Sequence, residues 1–549
     1  MVESLLTPEI ILANGRVLTV DARDSVCEAV AIAMGRIVAL GDAKSVLALR
    51  GPKTRVIDLK GRSVLPGLID SHVHLADNGV AERYKLDCRD FYTNIRSLAD
   101  VLAKIKEHAA QQEKGTWIVA HGSPMQDSRM PEKRYPNRAD LDKTTRDHPV
   151  AISFGAHLTC LNTKAIEIAA LTKDTAAPAG GEIEHDPATG ELTGMLKERA
   201  QALARRHFPA YTYEDRKDSM VWSAKQCLAK GVTSVHDIVT DAETVRAYQE
   251  LAAEGRLPLR VTMLIRIIEA DIVPASLLNL GIGPGFGNEW LRIGGVKMSI
   301  DGGLTGRNAR FSEPYVGEPC NCGMIRIQSD ELEGTVDAYH RAGQRVCIHA
   351  MGDVAMDMAL DALDKSITAH PRADHRHRIE HMGNNMCTPE RIARMKRLGI
   401  LPIPNVSFLH HVAESMLECL GTTRMKKAFN LRQLLDAGLV VTQGSDAPGY
   451  WPIDVLRDLG TAVSRRTWQG GTFEPEEGLA IAEALRMCTM TAAYAGFEER
   501  VKGSIEPGKL ADLTVLSEDL FDVAPAQIKD IPVDMAIVNG SIAYSRQAA

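Results

Sequence analysis

Eight short apolar runs, separated by helix-like stretches, limit what this chain can fold into. They occupy residues 64–70, 232–238, 259–267, 294–300, 344–350, 377–381, 400–407 and 439–445. Runs of this length suit strands buried on both faces. Strands alternating with helices are the α/β pattern, in which helices cover a parallel sheet. Two architectures satisfy it, a closed (β/α)8 barrel and a doubly wound open sheet. A nucleotide-binding open sheet carries a Gly-rich phosphate turn after its first strand. No such turn follows residues 64–70, which favours the barrel.

The ends of these runs carry chemistry. The first leads into Asp70-Ser-His-Val-His74, and alternate residues of an extended strand face the same way. His72 and His74 can therefore grip one metal ion, and imidazole suits zinc and other transition metals. A single pair of this kind also arises by chance on a surface. Four more runs end at or near Lys297, His349, His381 and Asp446, making six ligand-type residues on five segments. Taken singly, each has a plainer reading. His349 and His381 could be hydrogen-bonded core histidines, Asp446 a helix N-cap, and Lys297 a core-edge lysine paired with Asp301 or another acid. A protonated lysine has no lone pair and cannot bind a metal. A carboxylate at a strand tip can both ligate a metal and exchange a proton with a bound water, so Asp446 is the candidate proton carrier. His236 reads as structural or supporting, and His375 and His377 as part of a turn. The pair His410-His411 is expected to be exposed beyond the seventh run, where it could touch substrate.

The order His-x-His, Lys, His, His, Asp resembles that of the amidohydrolase superfamily, metal-dependent hydrolases built on a (β/α)8 barrel. The stretches "HLTCLNTKAIE" (157–167), "GGEIEHDPATGELTGMLKERA" (180–200), "GGVKMSIDGGL" (294–304) and "GSDAP" (444–448) are similar to the amidohydrolase-3 group, the YtcJ-like proteins that include N-substituted formamide deformylase. The resemblance spans nearly the whole chain. It implies a binuclear centre with two Zn2+ or other divalent ions per chain, held by His72, His74, Lys297, His349, His381 and Asp446. Lys297 would act as a CO2-derived carbamate bridging the two ions. Burial favours that by lowering a lysine's pKa and freeing the neutral amine. His157 matches the His of the group's Gly-His-x4-Asn pattern, with Ala156 replacing the Gly and Asn162 its Asn. Glu198 matches the acid of "TGxLxE". Both are expected to face the site from a lid, with Asp301 and His410 as further substrate contacts. Their plainer readings are a hydrogen bond within the lid for His157 and a surface charge for Glu198.

The implied activity is hydrolysis of a C–N bond in a small-molecule amide, an N-substituted formamide or N-acyl compound. A deaminase of the same superfamily would use one metal and a Glu close to His349, but Ala350-Met-Gly-Asp353 follows. A decarboxylase or isomerase would look alike, and a non-catalytic metal-binding paralogue should have lost ligands.

Residues 1–62 and 503–549 are β-rich at both ends of the chain, and the simplest account pairs them into one β-sandwich beside a barrel at 63–502. Within the first of these, Asn14-Gly15 is the strongest short hairpin signal. Turns are also expected at Met34-Gly35 and Asn539-Gly540. Between the first two barrel strands lies an insertion at about 76–215, expected to form a lid over the strands' C-terminal ends, where such barrels keep their sites. The net charge, 64 − 71 = −7, argues against general nucleic-acid binding. Ten scattered cysteines suit a reducing, cytoplasmic setting, and Cys320-Asn-Cys322 reads as a loop. No apolar run is long enough to span a membrane. A homodimer is the expected assembly.

Overall fold

The computed structural model describes residues 7–267, 275–384 and 386–546, and of Asn78 only the backbone. Seven strands form one parallel sheet: β1 Leu68–Val73, β2 Val232–Val239, β3 Arg260–Arg266, β4 Leu291–Ser299, β5 Val346–His349, β6 Arg378–Glu380 and β7 Leu401–Ile403. Their spatial order is their chain order. Residues 443–447 close the ring between its two edges. On one side Ser71 N–H donates to Gln443 O and Asp446 N–H to His72 O; on the other, Gly444 N–H donates to Pro404 O. The eighth run is therefore present as a closing segment with no regular ladder of its own. Gly444 permits this, because a Cβ there would overlap the Cβ of His72. The architecture is a TIM-like (β/α)8 barrel.

The first apolar run splits in two. Residues Ser63–Pro66 belong to a different sheet, pairing in parallel with Arg16–Leu18 and antiparallel with Leu513–Leu516. The barrel strand starts after Gly67, where a Cβ would collide with Thr233. The seventh run is likewise shorter than its sequence suggests, because Val406–Leu420 is helix.

Two further sheets come from the chain ends. One has the order Arg36–Gly41, Ala29–Ala33, Ile10–Ala13, Arg55–Asp58. The other runs Ser541–Ser545, Val533–Val538, Leu513–Leu516, Ser63–Pro66, Arg16–Leu18, Val26–Cys27. Leu12, Val30, Ile32, Val64, Leu513, Val515 and Ile537 form one buried cluster across both. The Asn14-Gly15 hairpin is absent. Ile10–Ala13 and Arg16–Leu18 lie in different sheets, so the turn carries the chain from one layer to the other. Burying an apolar face in each layer outweighs the local turn preference. Met34-Gly35 and Asn539-Gly540 do close antiparallel hairpins.

Between β1 and β2 the chain builds a six-stranded mixed sheet, ordered Gly181–His185, Leu192–Glu198, Leu158–Leu161, Val150–Phe154, Ile118–Gly122, Leu86–Asp87. It has its own core of Val101, Ile105, Ile118, Ile152 and Phe154. The cysteines form no disulfide. Among the described residues no helix is long and apolar enough to cross a membrane.

Candidate metal centre

The C-terminal tips of the barrel strands and the inner face of the lid enclose a cavity of about 1120 Å³. His72, His74, Lys297, His349, His381 and Asp446 all line it, together with His157 and Glu198. The strands deliver these side chains near their C-terminal ends, with Lys297 two residues deeper than His349, which pairs with Ser299. Lys297 pairs with Arg266 on β3 and Cys347 on β5, and His349 pairs with Glu380 on β6.

His72, His74 and Asp446 form the tightest group. Both Nε2 atoms lie 3.1 Å from the same oxygen, Asp446 Oδ1. Potential ligand atoms of the three lie within 4.8 Å of one another. His72 Nδ1 is 2.6 Å from Glu380 Oε2 and donates to it, which leaves the Nε2 lone pair aimed at the carboxylate. Neither His72 Nε2 nor Asp446 Oδ1 has a hydrogen-bond partner, though both are buried. Buried acceptors facing one another are costly unless a cation or proton lies between them. Two imidazoles and a carboxylate at this spacing fit a divalent transition metal.

The cluster continues along the ring. The His72 and His381 rings are 5.1 Å apart, and those of His381 and His349 4.4 Å. His381 Nδ1 lies 2.7 Å from Asn405 Oδ1, whose amide also donates to Gly444 O. That fixes the Asn405 rotamer and leaves His381 Nε2 as the lone pair. His349 Nε2 donates to Gly302 O at 3.3 Å, leaving Nδ1 free. Burial and neighbouring positive groups hold both imidazoles well below their ordinary pKa, so both stay neutral, the form that ligates. His381 and Asp446 have φ of 65° and 59°, backbone strain of the kind that gathers at functional sites.

Lys297 is 4% exposed and makes no hydrogen bond or ion pair among the described residues. Burial pushes its pKa down to about 8, and Arg266 adds to that, while Glu380 and Asp446 oppose it. It is not paired with Asp301.

Behind the candidate ligands stands a buried network. Arg378 holds Glu380 in a bidentate pair and also meets His236 Nδ1 at 3.2 Å. Asp237 accepts from Leu75 N–H at 2.6 Å and from Tyr248 OH at 2.6 Å, anchoring the chain just past His74. Asp70 accepts from Ser445 N–H at 2.9 Å, tying β1 to the closing segment. Of these, the sequence reaches only His236, as structural or supporting. The available signal was a charged pair at i and i+2, Arg378 and Glu380, inside an otherwise apolar strand.

From the lid, His157 Nδ1 lies 2.9 Å from Glu198 Oε1, and Asn308 donates to the same oxygen. Burial alone would raise the Glu198 pKa, but His157 and Arg326 hold it down at about 2. Gly302 and Gly303 make room, since a Cβ at either would run into Glu198 or His157 respectively. Two expected substrate contacts lie elsewhere. Asp301 is absent from the cavity wall and accepts backbone N–H groups of Arg310, Met351 and Gly352, so it pins the loops after β4 and β5. His410 is 5% exposed on the helix Val406–Leu420, beside Arg466 O and Thr461, and His411 stacks on Trp451 at 4.4 Å. The pair is core, not surface, because 406–420 follows the helical period.

The amidohydrolase family model matches residues 55–544 of the chain. Among curated proteins, YtcJ of Bacillus subtilis (strain 168) is 31% identical over 538 residues, spanning 94% of this chain and 96% of that one. The N-substituted formamide deformylase of Arthrobacter pascens is 30% identical over 560 residues, 98% of each. Among solved structures, an uncharacterized metal-dependent hydrolase from Pyrococcus horikoshii OT3 superposes with a TM-score of 0.73 at 26% identity, covering 94% of this chain and 99% of that one. With the family match running over most of its length, this chain belongs to the amidohydrolase family.

Proposed function

We propose that the protein hydrolyses the C–N bond of a small amide, an N-substituted formamide or N-acyl compound, at a centre of two divalent metal ions. The observation that carries this is the meeting of His72 Nε2 and His74 Nε2 on Asp446 Oδ1, with His349, His381 and Lys297 on the same wall. The similarity to a formamide deformylase over 98% of both chains supports the choice of bond. His72, His74 and Asp446 would hold one ion, His349 and His381 the other, and a Lys297 carbamate both. Such ions supply Lewis acidity and a water ionised near neutral pH.

The chain's own groups do the rest. Glu380 and Asn405 fix the tautomers of His72 and His381. Asp446 turns Oδ1 to the imidazoles and leaves Oδ2 for the cavity, where it can take a proton from the attacking water and return it to the departing nitrogen. His157, locked by Glu198, presents its other ring nitrogen to the substrate. Assay of the metal-loaded protein on matched N-formyl, N-acyl and carbamate compounds, reading amine release, tests the proposal. Release from none of them would remove it.

A further inference from the structure

Away from the metal-facing wall, the cavity holds two cations that no carboxylate contacts. Lys85 and Arg205 both line it from the lid segment. Lys85 Nζ has no hydrogen bond or ion pair among the described residues. Arg205 donates to the neutral Gln201 Oε1 at 2.8 Å and meets no carboxylate there. The two charges nevertheless act on each other, after burial, in lowering the Lys85 pKa to about 8. Lys85 is half-buried and Arg205 stands exposed at the cavity's edge, so the two like charges repel across a partly solvated gap, a repulsion that an anion joining them would relieve.

A third side chain points the same way. His121, on the strand Ile118–Gly122, lines the cavity with its side chain 6% exposed. Neither ring nitrogen makes a well-formed hydrogen bond, the Gly449 backbone being its one weak polar neighbour in the cavity wall. The nearest carboxylate oxygen, on Asp87, is 3.8 Å away and is occupied by Arg89. Burial, then Arg89 and Lys85, keep the imidazole neutral, so one ring N–H is left to donate. A buried donor without a strong partner thus lines the same cavity as two cations that no carboxylate contacts, and nothing of its own chain occupies the site.

The spacing is informative. The helix Leu75–Tyr84 has His74 as its N-cap and Lys85 as its C-cap. At 1.5 Å per residue its ten residues separate the metal ligands from Lys85 by roughly 15 Å. Part of that span is recovered by the lysine stem reaching back into the cavity.

Building on the amide-hydrolase reading above, we propose that Lys85, Arg205 and His121 bind an oxyanion on the substrate, at the end remote from the scissile C–N bond. The substrate class is thus an N-formyl or N-acyl amine with a carboxylate or phosphate several bonds away. Arg205 offers the planar fork that matches either group, and Lys85 a point charge.

Calorimetry on the metal-loaded protein tests this with the amine such a hydrolysis would release. The probes are 6-aminohexanoate, its neutral counterpart 6-aminohexan-1-ol, and 5-aminopentyl phosphate to tell carboxylate from phosphate. At least one of the two anions is expected to bind about tenfold or more tighter than the alcohol, the scale of a charge-assisted pair. Lys85→Met and Arg205→Met should each shrink that difference while leaving Tm unchanged or higher, since each relieves repulsion. Equal binding of anions and alcohol, no measurable binding of either anion, or a preference unchanged in both variants would overturn the proposal. Turnover of 6-formamidohexanoate is followed separately. A Lys85- and Arg205-dependent anion preference without turnover supports the oxyanion site and counts only against the hydrolase reading.

Discussion

Glu380 Oε2 lies 2.6 Å from His72 Nδ1, joining two residues 308 positions apart in the chain. The contact decides which imidazole nitrogen is left for a metal, and Arg378 decides where Glu380 points. Glu380→Gln keeps the size but offers an amide that can present N–H instead of an acceptor. Metal affinity is expected to fall about 10–100-fold, the usual cost of losing such a partner. Elemental analysis after dialysis against a weak chelator reads it. Full metal retention would show that His72 needs no orienting group.

Metal retention should also depend on pH, in a fixed direction. Burial and Lys297 oppose charging His72, but Glu380 and Asp446 outweigh them and raise its pKa above the ordinary imidazole value. A proton on Nε2 excludes the ion. The ion is therefore held best well above that value, and its affinity falls as pH drops through it. His349, His381 and His74 are shifted the other way and stay neutral to lower pH. Metal release followed by a chromogenic chelator should thus set in at a higher pH than an unperturbed histidine, of pKa about 6.5, would give. Retention independent of pH down to about 4 would contradict the assignment of His72.

The barrel was legible because Val, Ile and Leu crowd its strands and the runs recur with helices between them. What failed were boundaries and partners. Residues 64–69 read as one run, but Gly67 is where the chain leaves one sheet for another, and Pro66-Gly67 is the local break that marks the change. Asn14-Gly15 has hairpin chemistry, and only the packing of two layers overrules it. His410 and His411 were misplaced as surface because residues 400–407 were read as strand throughout, while the helical period starts at Val406. The ligand-type residues were visible at strand ends, whereas Glu380, Asn405, Lys85 and His121 acquire meaning only from neighbours distant in sequence.

Lys297→Ala should lose metal and activity together if its carbamate bridges the ions. With its pKa near 8, roughly a tenth of the amine is neutral at pH 7 and open to CO2. Lys297→Arg should fail as well, because a guanidinium neither takes up CO2 nor ligates a cation. Removal of bicarbonate during metal reconstitution should slow reactivation of the unmutated protein. A well-metallated, active Lys297→Ala protein would reduce the lysine to a structural role.

His157→Ala should lower kcat/KM and leave bound metal unchanged, since Nδ1 is taken by Glu198 and the ring reaches the cavity from the lid. Loss of metal in this variant would instead place His157 among the ligands.

Asp446 poses the sharpest test of the reaction. Amide cleavage needs a nucleophile, a polarised carbonyl and a proton for the leaving amine. The neutral imidazoles of His349 and His381 have each committed one nitrogen to Gly302 O or Asn405, and the other is the one proposed to ligate. Asp446 has two oxygens, and it is Oδ1 that meets both imidazoles at 3.1 Å. Burial would raise its pKa, but His72 and His74 hold the carboxyl well below the usual range, so it enters the reaction ionised throughout the working pH. Asp446→Asn can keep a ligating oxygen toward His72 and His74 while removing the base. It should retain most of its metal while kcat falls by about 10²–10⁴-fold, the usual worth of general acid–base catalysis. Metal content and kcat measured on the same preparation separate the two jobs. Near-normal turnover by this variant would move the proton transfer to another group lining the cavity, with Glu198 the next to replace.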